Sequence, residues 1–155
     1  MKKILVFSAL LAFASLSLAE DPGEGGVDYG DSKSVTLMVK AWGALDEGQY
    51  EDALKYTAKC AELYEEEAKK MQASLSGFPS SEVVNEYWAL NDVGTCYFIS
   101  GEALMKLHRR TEALAAYKVV RDEFSYSQAW DPKGWYWSPS LVAKGKIDLL
   151  ENPLP

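Results

Sequence analysis

From Ser34 onward the apolar positions recur at spacings of three and four, through Val35, Met38, Ala41, Trp42 and Leu45, until Gly48 interrupts them. That period puts one face of the chain against a core and predicts a helix. A second stripe runs through Tyr50, Ala53, Leu54, Thr57, Cys60, Ala61, Tyr64, Ala68, Met71 and Leu75, about seven turns at 3.6 residues each. Ser76-Gly77-Phe78-Pro79-Ser80 is a breaker. A third helix is expected from near Ser81 to about His108. Tyr87, Gly94, Gly101 and His108 recur there every seven positions, and Leu90, Tyr97 and Leu104 interleave. The two glycines on this seam admit a close neighbour. A fourth helix, about Thr111 to Phe124, turns Ala113, Leu114, Tyr117, Val120 and Phe124 inward, and Ser125 to Trp137 reads as irregular and aromatic. Ser138-Pro139 then opens a last helix, serine as cap and proline in the first turn, which Asn152-Pro153 closes. The expected fold is all-α, with about five helices in antiparallel hairpins.

Ahead of this pattern the chain has a different character. Met1-Lys2-Lys3, the apolar run Ile4 to Leu16, and Ser17-Leu18-Ala19 form the three parts of a cleavable signal peptide over residues 1–19, cut after Ala19. The apolar run is too short to span a bilayer, so the mature chain is expected in the periplasm or secreted. Glu20 to Ser32 holds four glycines and five acids with little to bury, and residues 20–32 read as a flexible linker. Residues 33–151 are then one helical domain.

Charge narrows the partners. The formal net charge is −7, and no basic cluster breaks it, which argues against nucleic acid and anionic membranes. Catalytic patterns are missing. His108 is the single histidine, there is no Gly-x-Ser-x-Gly elbow and no glycine-rich phosphate loop. Cys60 and Cys96 form no Cys-x-x-Cys pair. An enzyme is not expected, nor a metal or other cofactor.

One local pattern occurs twice. Gly48-Gln-Tyr50-Glu-Asp-Ala53-Leu54 is echoed about sixty positions later by His108-Arg-Arg-Thr-Glu-Ala113-Leu114. With Ala41, Thr57 and Cys60 in the first copy, and Gly101, Tyr117 and Val120 in the second, the segment of roughly residues 34 to 124 resembles the tetratricopeptide repeat family. His108 and Arg110 replace the turn glycine and its aromatic, and the spacing exceeds the family's 34 residues, so the hairpin between the copies is overlong. The resemblance implies an α-solenoid that docks a protein or peptide in the groove lined by the first helix of each repeat. It places Met38, Trp42, Phe98, Glu102 and Met105 on that groove, although Met and aromatic stripes also build cores.

Two further features carry alternatives. Cys60 and Cys96 are equidistant from Phe78 at the hairpin's centre, so unbroken helices bring them level and within disulfide reach. A bridge there would stabilise by roughly 3 to 4 kcal/mol on the chain-entropy model; the other reading is two buried free thiols. Trp130-Asp131-Pro132-Lys133-Gly134-Trp135-Tyr136-Trp137 puts three tryptophans in eight residues. They either cap the open end of the domain or, through Trp135 and Trp137, offer a stacking platform to sugar rings or a peptide. The expectation is therefore an exported scaffold for a protein or peptide in cell-envelope assembly, with a glycan-binding or polysaccharide-processing accessory as the alternative.

Overall fold

The computed structural model describes residues 26–152; the expected signal peptide and the first part of the linker lie outside them. Five α-helices make up the fold: α1 Ser34–Asp46, α2 Tyr50–Ala73, α3 Trp88–Lys106, α4 Arg110–Glu123 and α5 Pro139–Glu151. Between α4 and α5 a short antiparallel ribbon pairs β1, Ala129–Asp131, with β2, Trp135–Trp137, in the register Trp130 opposite Tyr136. The all-α class holds. The ribbon is the departure from the irregular stretch expected at Ser125 to Trp137. Its turn forms because the Asp131 carboxylate accepts from the Lys133 amide (2.8 Å), while Gly134, at φ 106°, donates its amide to the Asp131 carbonyl (2.9 Å).

Successive helices pack on one another, and contacts step down one as they step up the next. Thr57 meets Ser100 through hydroxyls 2.7 Å apart, Cys60 meets Cys96, and Tyr64 meets Trp88 with ring centroids 5.6 Å apart. The α2–α3 pair is therefore an antiparallel hairpin with the two cysteines level. Both stand as free thiols in this structure. Burial, and then the contact with Cys60, push the Cys96 thiol well above its usual pKa, which keeps it protonated and unreactive at neutral pH.

The third helix is the centre of the molecule. Leu90, Val93, Cys96 and Ala89 face Leu37, Cys60 and Ala68 from α1 and α2, while Phe98 and Leu104 face Ala113, Tyr117 and Val120 of α4 and Ile147 of α5. Ile99 and Ala103 meet Ala41, Ala44 and Ala53 at the α1–α2 turn. Gly94 and Gly101 on this helix carry the close approach that their spacing predicts. A Cβ on Gly101 would overlap the Tyr117 ring, and one on Gly94 would overlap the Ser127 side chain.

Helix α3 starts later than Ser81. Val84–Tyr87 forms a separate 3₁₀ turn, and Tyr87, at φ −94° and ψ 37°, leaves the helical region before α3 begins. Val84 is fully buried, and its carbonyl accepts from the Asn91 side chain at 2.8 Å, so this entry segment is tied to α3 without continuing it. The linker also ends earlier than Ser32. Tyr29 packs edge-on to Tyr56, centroids 5.9 Å apart, and Lys40 pairs with Asp28 at 3.2 Å, which holds the chain from Asp28 onward against α1 and α2.

The doubled sequence pattern corresponds to one doubled local structure. Gly48 at φ 77° and His108 at φ 60° both occupy the left-handed region just past a helix. The amides of Gly48 and Gln49 return to Leu45 and Ala44, and those of His108 and Arg109 return to Met105 and Leu104. This is the same helix-closing motif, position for position. The small residues that follow, Ala53 and Ala113, are both fully buried.

A histidine in the left-handed region is strained by roughly 1 to 2 kcal/mol, partly offset by glycine's greater freedom when unfolded. His108→Gly is thus expected to stabilise the domain by about 0.5 to 1 kcal/mol and Gly48→Ala to destabilise it by about 1 kcal/mol. Paired urea titrations read both, and a loss of stability in His108→Gly would refute the equivalence of the two turns.

Candidate functional site

A cleft of about 790 Å³ opens along the side of the molecule where α1, the start of α3 and the ribbon meet. One wall is a face of α1 carrying Val35, Met38, Val39, Trp42 and Asp46, residues at helical spacings of three and four that point one way. A second wall is the first two turns of α3, with Trp88, Asn91, Asp92 and Thr95. The third is the ribbon, with Trp130, Asp131, Tyr136 and Trp137. Four of the five tryptophans of the chain line this space, and its volume falls within the range of pockets that hold small molecules or peptide side chains.

The ribbon is held in place by specific bonds. The Asn91 side chain accepts from the Gln128 amide at 2.9 Å, the Gln128 side chain donates to the Pro79 carbonyl at 2.9 Å, and the Tyr136 hydroxyl donates to the Asn85 side chain at 3.2 Å. Trp137 packs edge-on to Phe98, centroids 5.3 Å apart, and Phe98 also touches Trp42 at 6.3 Å. Indoles from two walls thus share one backing ring. Trp130 stacks edge-on with Tyr136 at 4.9 Å and stays 56% exposed, and Trp88 stays 43% exposed, so two indoles are presented at the mouth.

The expected site residues separate into groups. Met38, Trp42 and Trp137 come together in the cleft. Phe98 supports the cleft from beneath, at 6% exposure. Glu102 is elsewhere: it accepts from the Tyr117 hydroxyl at 2.5 Å and pairs with Lys146 of α5 at 2.7 Å. Those partners tie Glu102 into the α3–α4–α5 packing, and Met105 packs against the same cluster. Both lie away from the groove because α5 and α4 occupy the face they point to. Trp135 does not line the cleft; its ring is 49% exposed with the Lys133 ammonium 6.0 Å from its centre. The aromatic stretch is therefore divided, with Trp137 closing onto the core and Trp130 and Trp135 left open.

Sequence reasoning missed Trp88, Asp46 and Asp92. The last had a signal: between Trp88 and Gly101 it is the single charged residue. In the structure Asp92 accepts from the Ser34 hydroxyl at 2.6 Å. Burial pushes its carboxyl up to about 6, and the Ser34 bond only partly counters that. A carboxylate held in a cleft at a cost to itself is a functional-site signal. A second groove, about 580 Å³, lies between α2 and α4 over Tyr97, Ser100 and Leu104. It is lined chiefly by alanines and small side chains, and Arg109 and Glu112 at its edge already pair with each other at 2.5 Å.

Comparison with models of protein families, with curated proteins and with solved structures finds no match to this chain.

Asp92 has a pH signature. Its folded pKa lies above the 3.8 of the free group, so the folded state holds the proton more tightly. Stability falls as the pH rises from about 4 through about 6 and stays lower above that. Asp92→Asn is expected to leave stability at pH 4 nearly unchanged and to raise it at pH 7.5 by on the order of 2 kcal/mol. Denaturant melts of the two proteins at both pH values measure this, and a variant less stable at pH 7.5 would contradict it.

Proposed function

We propose that this protein is an exported, tetratricopeptide-like scaffold that binds a protein or peptide partner in the aromatic cleft, in the setting of cell-envelope assembly. The observation that carries this reading is the matched pair of turns at Gly48 and His108. On this reading α1 and α3 are the first helices of two hairpins, and the cleft opens along both of them. In a helical scaffold of this kind the first helices form the docking face. The partner is recognised by preformed walls: Trp42 and Trp137 are fixed on Phe98, and Trp88 and Trp130 offer open indole faces at the entrance. Aromatic anchors that become buried on binding supply much of the affinity in protein docking. No helix among the described residues is long and apolar enough to cross a membrane.

A glycan-binding accessory is the second reading, favoured by the exposed indoles of Trp88 and Trp130 beside the amides of Asn85 and Gln128. A photo-crosslinking residue placed at Val39, 59% exposed on the cleft wall, distinguishes the two in envelope preparations. A specific protein adduct is expected, reduced about tenfold or more by Trp130→Ala, in line with the loss of one aromatic anchor. Tryptophan emission that responds to soluble glycans, with no protein adduct, would sink the peptide reading.

Export also bears on Cys60 and Cys96. Facing thiols in an oxidising compartment would join while the chain folds, before burial raises the Cys96 thiol out of reach. Denatured, unreduced protein purified from its native compartment is expected to take up no alkylating agent, and two equivalents after reduction. Two equivalents without reductant would rule the bridge out.

A further inference from the structure

We propose that the aromatic cleft receives an extended basic peptide segment, its lysine or arginine side chains set against the indoles and the carboxylates of Asp46, Asp92 and Asp131. This rests on reading the cleft as a peptide site.

Charge inside the cleft is one-sided. Asp46, Asp92 and Asp131 line it, and no lysine, arginine or histidine does. Elsewhere on the surface carboxylates are commonly paired: Glu65 and Glu123 with Lys69, Asp52 with Lys55, Glu102 with Lys146, Glu151 with Lys118. Among the described residues, no ion pair reaches any of the three aspartates of the cleft. The nearest basic candidate on the ribbon, Lys133, has its ammonium 6.0 Å from the Trp135 ring instead, and Trp135 is not part of the cleft. A cation entering this space meets three unneutralised carboxylates together with aromatic faces, and both attract it. The position of Asp46 in the last turn of α1 adds the negative end of the helix dipole to the same place.

Length argues for a peptide over a small ammonium compound. The wall runs along α1 from Val35 to Asp46, roughly 16 Å at 1.5 Å per residue. An extended chain covers that in about five residues at ~3.3 Å each. Asp92 is bonded to Ser34 at the first turn of α1, and Asp46 sits at its last. The carboxylates therefore mark the two ends of the run. A single ammonium group would engage one end only, and a neutral sugar chain would leave the charges unanswered.

The test is a tryptophan-emission titration of the full mature protein at low salt with four probes: capped pentaarginine, capped pentaserine, choline and a soluble chitin tetramer. Pentaarginine is expected to bind at least tenfold tighter than pentaserine. Asp46→Asn and Asp92→Asn should each weaken it about fivefold or more, with folding checked by circular dichroism. Asp148→Asn, an exposed carboxylate outside the cleft, should leave it unchanged. Equal weakening by Asp148→Asn would reveal diffuse attraction to an acidic surface and overturn the inference. Choline binding as tightly as pentaarginine would overturn the peptide length. Equal binding of pentaserine would overturn the basic preference while leaving the cleft a peptide site. A response to the chitin tetramer alone would overturn the peptide reading itself, and no response to any probe would overturn this inference.

Discussion

The contact between Gly101 of α3 and the ring of Tyr117 on α4 sets the height at which the second hairpin closes. The absent Cβ is what lets the ring lie flat on the helix, and the Tyr117 hydroxyl is then fixed by Glu102, which in turn reaches Lys146 of α5. About two helical turns earlier, Gly94 admits Ser127 and Phe124 in the same way. These two close approaches bring the chain leaving α4 back over the start of α3, where Asn91 accepts the Gln128 amide. The ribbon and its tryptophans follow from there. Either glycine changed to a larger residue would push α4 outward by overpacking and move a wall of the cleft with it.

The sequence made the helices legible because each had one apolar stripe and a chemical stop: Gly48, the Ser76–Ser80 breaker, and Ser138-Pro139, whose serine indeed accepts the Leu141 amide at 3.4 Å. It also made the equal height of Cys60 and Cys96 legible, since antiparallel helices convert distance from the turn into level. The ribbon was not legible. Its strands are three residues long, too short for a period of two to register, and its stability comes from tertiary bonds to Asn85 and Asn91.

The site was half legible for a related reason. The resemblance grouped Met38 and Trp42 of α1 with Phe98, Glu102 and Met105 of α3, and the cleft keeps the first two; a repeat pattern in the sequence could not say which face of α3 they would meet. Phe98, Glu102 and Met105 lie on α3 too, and the arrival of α4 and α5 assigns them to packing. The groove instead takes the face bearing Trp88, Asn91, Asp92 and Thr95. Asp92 was the clue on offer, a lone charge in an apolar helix. An isolated carboxylate half inside a core is disfavoured by desolvation, so its presence there opposes stability.

The ribbon is built from a stretch that interrupts the run of helices, and the residue it packs against the hydrophobic cluster of α3, α4 and α5 is Trp137. The hydrophobic layers around α3 are completed by α1, α2, α4 and α5. The cleft therefore has two walls that the fold cannot do without and one that it can alter. Substitutions at Trp130, Asp131 or Pro132 would redraw the mouth while leaving the helices to fold as before. The shape and charge of the cleft mouth are thus set by a handful of ribbon residues that can vary while the helical scaffold is inherited intact.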